Sequence, residues 1–491
     1  MRVILISMCI AGGIITCNAQ NSKRNQQDFD DFRNEINKDF DNFRSEITQD
    51  FIDFLRNPWK DFEMTAPVPK PQIEPIPPID FPIDDKHKNL PLVDKPIVID
   101  NVIKPLPIIP QPEPIEPIEE IPVVTEEESL SFEFFGTACK VRYVSETNYR
   151  INSITENSIA DAFTLLATDK YDNLIYDCLK IRSDLQLCDW AYLLFLKSMA
   201  ETACGKNTNE ATLLMAYVYL QSGYKMRLAH DGTKLYMLYS SRHSIFGKPS
   251  YYLDGINYYG LEDLPSNLRI SNASFPEEQS LSLIINQQPL LTVDISDKRS
   301  IASTRYSSFT FSSEINKNLL AFYSTYPSSY YNEDFMTQWA QYANTPIAPN
   351  VAESLYPSIR KAVAGLSELE AVNRLLNWVQ TGFKYEYDDK VWGHDRTFFA
   401  EESLYYPYND CEDRSILLAR IVRDVLKLKC ILIYYPGHLA TAVRFNEDVK
   451  GDYISVNGNK FIVCDPTYIG ASVGMTMPNM DNASASIIIL E

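Results

Sequence analysis

The run Asn409-Asp410-Cys411-Glu412-Asp413-Arg414-Ser415 decides how this sequence folds. Apolar residues recur at helical spacing after it, which predicts a helix that begins at or just before Cys411. Asn409 and Asp410 are residue types that cap helix N-termini. A cysteine in a first helical turn meets free main-chain N–H groups and the positive end of the helix dipole, and both favour its thiolate. We therefore expect Cys411 to be a reactive thiol.

Three strand-like runs rich in β-branched and aromatic residues follow this helix, at residues 431–435, 440–445 and 460–464. His438 lies in the turn between the first two runs, and Asp465 directly follows the third. A sheet packed on the helix can bring His438 to the helix N-terminus, where Asp465 can orient the imidazole. The order of these residues predicts a catalytic triad of Cys411, His438 and Asp465.

A cysteine followed by a histidine also has an ordinary interpretation. Most free cysteines are small buried apolar residues, and a lone histidine is often a hydrogen-bonded core residue. Three observations favour catalysis here. Cys411 has polar neighbours, unlike Cys430 and Cys464, which lie within strand-like runs. His438 is the only histidine after Cys411, and Asp465 stands at a strand end.

A family resemblance is carried by three short runs, Asp410-Cys411-Glu412-Asp413, Gly437-His438 and Cys464-Asp465-Pro466-Thr467. They resemble the core of the transglutaminase-like superfamily, a papain-related thiol fold, and in particular the secreted transglutaminase-like proteins of Bacteroidota. The resemblance covers about residues 350–480. It implies Cys411 as nucleophile, His438 as base and Asp465 as orienting group. The usual glycine two places before the nucleophile is Asn409, which also accepts left-handed backbone geometry.

The fold class expected from this resemblance is α+β, with the cysteine helix packed on an antiparallel sheet in a catalytic domain at residues 319–491. The expected chemistry is acyl transfer on an amide bond through an acyl-enzyme. Resolution by water makes a peptidase or amidase, and resolution by a lysine-type amine makes a cross-linking enzyme. We expect hydrolysis of a peptide, protein or peptidoglycan-derived amide. Tyr405 and Asn409 are candidates for the second oxyanion donor, beside the N–H of Cys411.

Residues 1–20 have the features of a signal peptide. Arg2 precedes an apolar run that ends at Ile15, and a plausible cleavage site lies before Gln20. The stretch is too short to span a membrane as a helix, so we expect a periplasmic or extracellular protein without a transmembrane segment. A lipoprotein anchored at Cys17 is the less favoured alternative. Seven cysteines remain in the mature chain, so at least one thiol is unpaired. Cysteine and histidine spacings give no zinc pattern, and neither a metal nor a cofactor is expected.

Residues 21–64 contain an internal repeat with a period of eleven, in runs that start at Asp28, Asp39 and Asp50. Each run places two phenylalanines on one face of a predicted amphipathic helix. A single helix cannot bury such a stripe alone. It is expected to pack on the body of the protein, on a second copy of itself, or on a partner protein.

Residues 65–128 form a proline-rich acidic linker. Sixteen of the chain's 29 prolines lie between Pro67 and Pro122, which favours an extended, semi-rigid spacer. Its many isoleucine and valine residues predict that part of it lies in a groove on the globular domains. The chain's net charge of −20 argues against nucleic acid as a partner.

Residues 129–265 are expected to form a second α+β domain, followed by a β-rich connector at 266–318. The run 209–216 can be aligned with 412–419, which gives the hypothesis that the middle domain is a degenerate copy of the catalytic fold. Thr208 then falls at the nucleophile position and Lys234 at the histidine position. An unrelated helix followed by strands explains the pattern equally well. Together with the repeat and the linker, an inactive domain also suits a non-catalytic envelope scaffold or binding protein.

Overall fold

The computed structural model describes residues 45–81, 92–114, 118, 120, 128–145 and 149–491. Its class is α+β with mostly antiparallel sheets, as expected. Within the described ranges, every helix falls short of the length and apolar character needed to cross a membrane. The expected signal peptide and the first two phenylalanine runs lie outside the described residues.

Twelve α-helices occur in the described ranges. They are α1 (residues 45–55), α2 (Glu156–Leu166), α3 (Asp172–Asp184), α4 (Asp189–Cys204), α5 (Asn209–Gln221), α6 (Lys317–Tyr323), α7 (Thr337–Asn344), α8 (Pro349–Val363), α9 (Glu368–Gly382), α10 (Asp388–Val391), α11 (Ala400–Tyr405) and α12 (Cys411–Ile421). A 3₁₀ turn at Asp169–Tyr171 precedes α3, and a π-helical turn at Val422–Leu426 extends α12. The Ser367 hydroxyl accepts the N–H of Glu370 and so caps the start of α9.

The strands are mostly short. They are β1 (Lys60–Glu63), β2 (Ile79–Asp80), β3 (Lys95–Ile97), β4 (Asn101–Ile103), β5 (Glu128–Phe134), β6 (Thr137–Tyr143), β7 (Met226–His230), β8 (Leu235–Ser240), β9 (His243–Ile245), β10 (Tyr251–Leu253), β11 (Ile256–Gly260), β12 (Asn267–Ile270), β13 (Arg299–Ala302), β14 (Thr310–Ser313), β15 (Ser329–Tyr331), β16 (Lys384–Tyr385), β17 (Tyr408–Asn409), β18 (Lys429–Tyr435), β19 (His438–Arg444), β20 (Asp452–Val456), β21 (Asn459–Cys464), β22 (Tyr468–Ile469) and β23 (Ser486–Ile489).

Two large sheets share one topology. The first has the strand order β1-β12-β7-β8-β11-β10, and the second has the order β3-β20-β21-β19-β18-β23-β4. The series β12-β7-β8-β11-β10 matches β23-β18-β19-β21-β20, and all neighbours in both series pair antiparallel. A helix directly precedes the first hairpin in each case and packs on the sheet, α5 in one and α12 in the other. The chain therefore contains the same helix-and-sheet arrangement twice.

Contacts at the two helix N-termini set the residue correspondence. The N–H of Leu235 donates to Asn209 Oδ1 over 2.9 Å, and the N–H of Leu439 hydrogen-bonds to the Cys411 thiol. Asn209 and Cys411 are each the first residue of their helix. Asn209 therefore occupies the place of Cys411. The alignment of sequences is one residue out, because Thr208 is the N-cap that precedes the helix.

The N-terminal segments are built into the body. In α1, Phe51 and Leu55 are buried, and the Phe51 ring lies 5.1 Å from that of Phe163. The described end of the phenylalanine repeat thus packs on the body, although Phe54 is 57% exposed. Strand β1 pairs with β12, and β3 and β4 pair in parallel with β20 and β23, the outer strands of the second sheet.

Candidate active site

Cys411 lies at the start of α12, as the sequence predicts. Asp410 is the N-cap, and its N–H donates to Asp413 Oδ2 over 3.4 Å. The other oxygen of Asp413 accepts the N–H of Phe398 over 2.9 Å, which ties the preceding loop to the helix. The helix N-terminus is therefore held by a fully buried carboxylate.

Two hydroxyl groups join the cysteine helix to the histidine strand. Ser415 Oγ donates to the carbonyl of Leu439 over 2.8 Å, and Thr441 Oγ1 donates to the carbonyl of Ser415 over 3.1 Å. A hydrogen bond from the main chain of Leu439 lowers the pKa of the Cys411 thiol, although burial and the neighbouring carboxylates outweigh it. His438 is the first residue of β19.

His438 and Asp465 form a buried pair. The distance from Nε2 to Asp465 Oδ2 is 2.9 Å, and the two side chains are 0% and 1% exposed. Asp465 Oδ1 accepts the N–H groups of Thr467 and Tyr468 over 2.8 and 3.2 Å, so the carboxylate is held on both oxygens. Among the described residues, no hydrogen-bond partner reaches His438 Nδ1. This pair orients the imidazole and leaves Nδ1 available for proton transfer.

The Cys411 thiol donates to Glu412 Oε2 over 3.1 Å. Burial raises the pKa of the thiol well above its usual value, and the carboxylates of Glu412 and Asp410 raise it further. The expectation that the helix terminus favours the thiolate is therefore wrong for this conformation. Burial of the thiol, and next the charge of Glu412, outweigh the fixed dipole and the N–H groups, so the raised pKa favours the protonated thiol.

An acidic recess lies next to the thiol. Carboxylate oxygens of Asp388, Asp395 and Glu412 lie within 4.8 Å of one another, and those of Asp410 and Glu412 lie equally close to the Cys411 sulfur. Burial and the charge of Glu412 raise the pKa of Asp388 to about 8. Such oxygen sets suit hard cations. The positive charge that meets this recess in the structure is the Lys70 ammonium, 2.8 Å from Asp395 Oδ1.

Tyr385 is a candidate that the sequence analysis missed. Strand β16 pairs in parallel with β17, which sets Tyr385 beside Asn409. Its hydroxyl is buried, and no described residue hydrogen-bonds to it. Burial raises the pKa of Tyr385, and the charge that Cys411 would carry is the next largest cause. This buried phenol, with no hydrogen-bond partner among the described residues, is therefore a candidate oxyanion donor.

Of the two expected oxyanion donors, Asn409 is engaged elsewhere. Asn409 Nδ2 donates to the carbonyl of Ser403 over 3.4 Å. The Tyr405 ring packs on that of Tyr406, with centroids 4.9 Å apart. The N–H of Cys411 remains the main-chain candidate, since the first N–H groups of a helix have no partner within it.

Gln380 and Arg414 support the aspartate, and both were missed from the sequence. Gln380 Nε2 donates to the carbonyls of Asp465 and Tyr468 over 3.1 and 2.8 Å. Arg414 donates in turn to the carbonyl of Gln380 over 3.2 Å. Both side chains are almost fully buried. They fix the loop that carries Asp465 to α9 and α12.

The corresponding place in the first sheet has different chemistry. Lys234 lies at the His438 position, where the sequence comparison placed it, and the strand register puts Glu262 at the Asp465 position. Lys234 Nζ and Glu262 Oε2 are 2.6 Å apart. With Asn209 at the cysteine position, an amide and an ion pair replace the thiol, the imidazole and the carboxylate. This unit lacks a nucleophile at that place.

Comparison with known proteins returned no match. No family model, no curated protein and no solved structure matches this chain. The site combines a thiol at a helix N-terminus, a buried imidazole and a carboxylate that orients it.

Proposed function

We propose that this protein is an exported cysteine-dependent acyl-transfer enzyme that acts on amide bonds, with a transglutaminase-like, papain-related core at residues 319–491. The observation that carries the proposal is the buried His438–Asp465 hydrogen bond, which leaves Nδ1 open beside the helix of Cys411. A base on a strand that packs against the helix of the nucleophile, oriented by a third group, is the arrangement that thiol acyl transfer requires. The middle unit is then a second, degenerate copy of the same fold.

The first chemical step is proton transfer within the triad. The thiol turns from Glu412 to His438, and Nδ1 accepts its proton while Asp465 stabilises the imidazolium. The thiolate attacks the carbonyl carbon of the amide, and the oxygen takes up the negative charge. The N–H of Cys411 and the hydroxyl of Tyr385 are the groups placed to donate to that oxyanion.

The second half of the reaction regenerates the thiol. His438 gives its proton to the leaving amine, the C–N bond breaks, and a thioester to Cys411 forms. Water or an amine then attacks the thioester, His438 accepts its proton, and the thiol is restored as the acyl group leaves. Hydrolysis of a peptide or peptidoglycan-derived amide remains the preferred outcome for an exported protein.

Reactivity of the thiol tests this function directly. Iodoacetamide labelling of the mature protein, followed by mass spectrometry across pH, gives separate rates for Cys411 and Cys430. Burial raises the pKa of Cys430 to about 12, so it serves as the internal control. If the thiol and the imidazole are coupled, His438→Ala slows the labelling of Cys411 about tenfold or more and leaves Cys430 unchanged.

A non-catalytic envelope scaffold or binding protein is the second candidate. The observation that favours it is the hydrogen bond of the buried Cys411 thiol to Glu412 in place of His438, because a thiol that is not coupled to a base need not react. Under this function Cys411 reacts no faster than Cys430, and His438→Ala changes neither rate. The same labelling experiment therefore separates the two functions.

A further inference from the structure

The segment from Thr65 to Phe81, here called the arm, crosses from the first sheet to the candidate site. At its start, the carbonyl of Val68 accepts the N–H of Gly247 over 2.8 Å. At its end, β2 pairs in parallel with β22, and the N–H of Phe81 donates to the carbonyl of Ile469 over 2.8 Å. Between these points the arm passes the turn that precedes His438.

The main chain of the arm meets Gly437 directly. The N–H of Ile76 donates to the carbonyl of Gly437 over 2.8 Å. Gly437 has a φ of +84°, and a Cβ at this position would lie 2.3 Å from the carbonyl oxygen of Glu74. Only glycine allows so close an approach of two main chains. The turn beside His438 is thus shaped to receive an extended peptide backbone.

The lysine of the arm enters the acidic recess. Lys70 Nζ lies 2.8 Å from Asp395 Oδ1, and the lysine side chain is only 17% exposed. Asp395 lies within 4.8 Å of Glu412, the residue that accepts the hydrogen of the Cys411 thiol. The ammonium group is therefore separated from the sulfur by a single layer of carboxylates. Asp410 adds a buried oxygen, Oδ1, to which no described group hydrogen-bonds.

Apolar contacts hold the end of the arm. The rings of Phe81 and Tyr468 meet edge to face with centroids 5.5 Å apart. Ile76 and Ile79 pack against the buried cluster of Tyr468, Ala471 and Met477. The arm therefore presents a lysine, a backbone donor and apolar side chains in sequence to three adjoining parts of the site.

We propose that residues 70–81 are an internal ligand of the site, and that the site accepts in their place an extended peptide with a lysine followed by apolar and proline residues. The binding mode is strand addition, in which main-chain hydrogen bonds give affinity and side-chain recesses give specificity. A proline-rich chain loses little conformational freedom when it binds extended. Seating of the arm therefore blocks the site until a peptide displaces it.

The assignment of that peptide as a substrate rests on the proposed function, whereas its binding does not. The arm competes as part of the same chain, with an effective concentration in the millimolar range for a short flexible connection. A free peptide consequently binds weakly to the intact protein and tightly once the arm is released. Cys411→Ser proteins measure binding without any chemistry.

The experiment uses full-length Cys411→Ser protein and a fluorescent peptide with the sequence of residues 68–81. Lys70→Glu with Ile76→Pro in the protein removes the charge and the backbone donor and so releases the arm. Lys104→Glu with Ile108→Pro makes the same changes at exposed positions of the proline-rich segment outside the arm and is the matched control. Fluorescence anisotropy is expected to show binding about tenfold or more tighter to the released protein than to the control.

A charge reversal tests the lysine recess. A peptide with glutamate at position 70 is expected to bind the released protein about tenfold more weakly, and Asp395→Lys in that protein is expected to restore its binding. Asp395 is exposed, so its substitution leaves the core intact. Equal affinities for released and control proteins, or no dependence on the lysine, would overturn the proposal. An unreactive Cys411 together with the expected binding would reject the enzyme and keep the peptide site.

Discussion

Ser415 donates its hydroxyl to the carbonyl of Leu439 over 2.8 Å and so sets the spacing between the cysteine helix and the histidine strand. Both groups are buried. Ser415→Ala leaves a buried carbonyl without this donor, and the free energy of unfolding is expected to fall by about 1–3 kcal/mol. Urea denaturation measures the change. Ser308→Ala, at an exposed position, is the control and should stay within about 0.5 kcal/mol of the wild type.

Asp465→Asn tests the orientation of the imidazole. The asparagine oxygen can keep the bonds from Thr467 and Tyr468, while its NH₂ group donates to His438 Nε2 and places the ring proton on Nδ1. That tautomer cannot take the proton of Cys411. The labelling rate of Cys411 at pH 7 is therefore expected to fall about tenfold or more. An unchanged rate would show that the aspartate does not act through the histidine.

Glu412→Gln tests why the thiol is protonated. The charge of Glu412 raises the pKa of Cys411, so its removal lowers that pKa and increases the thiolate fraction at a fixed pH. Labelling of Cys411 is expected to become faster at pH 7, and its pH profile is expected to shift to lower pH. Asp389→Asn removes an exposed charge from the same region and is the control. Slower labelling in the glutamine variant would contradict this account.

Glu401 links stability to pH. It is fully buried, accepts the N–H of Ala348 over 2.5 Å, and has its pKa raised by burial from 4.5 to about 7. Between these values the unfolded chain loses the proton while the folded chain keeps it, so stability falls as pH rises. The rise of the Glu401 pKa from 4.5 to about 7 therefore lowers the free energy of unfolding by about 3 kcal/mol at most as the pH increases.

Glu401→Gln is expected to abolish that part of the pH dependence. Urea unfolding at pH 5, 6, 7 and 8 should show a smaller loss of stability in this variant than in the wild type. Glu353→Gln, at an exposed position, should follow the wild-type profile. Parallel profiles for the wild type and Glu401→Gln would show that Glu401 is ionised in the folded protein.

The parts of the site that follow from local patterns were predictable from the sequence. Cap residues and helical periodicity predict the helix at Cys411, and the ends of the predicted strands locate His438 and Asp465. Tyr385 and Gln380 were not predictable, because their roles arise from contacts with residues distant in the chain. Gln380, for example, is 85 positions from Asp465 and carries no sequence signal of its own.

The repeated strand order of the two large sheets was also only partly predictable from the sequence. The order of helices and strands in the middle unit can be predicted from the sequence, but the residue-by-residue correspondence between the two units cannot. Thr208 is the N-cap of its helix, so the sequence alignment placed Thr208 at the position of Cys411, where the structure has Asn209. Strands β2, β3 and β4 were also not predicted, because runs of two or three residues in a proline-rich segment have no periodicity to detect.

The placement of β3 and β4 bears on how this protein should be produced. These two strands cover the outer strands of the second sheet, β20 and β23, with main-chain hydrogen bonds. An uncovered strand offers its N–H and C=O groups to any other chain and is a template for aggregation. Expression of residues 128–491 alone would leave β20 and β23 as uncovered edge strands. The segment that carries β3 and β4 is thus a solubility element of the C-terminal unit, and versions of the chain that lack it are expected to form insoluble assemblies.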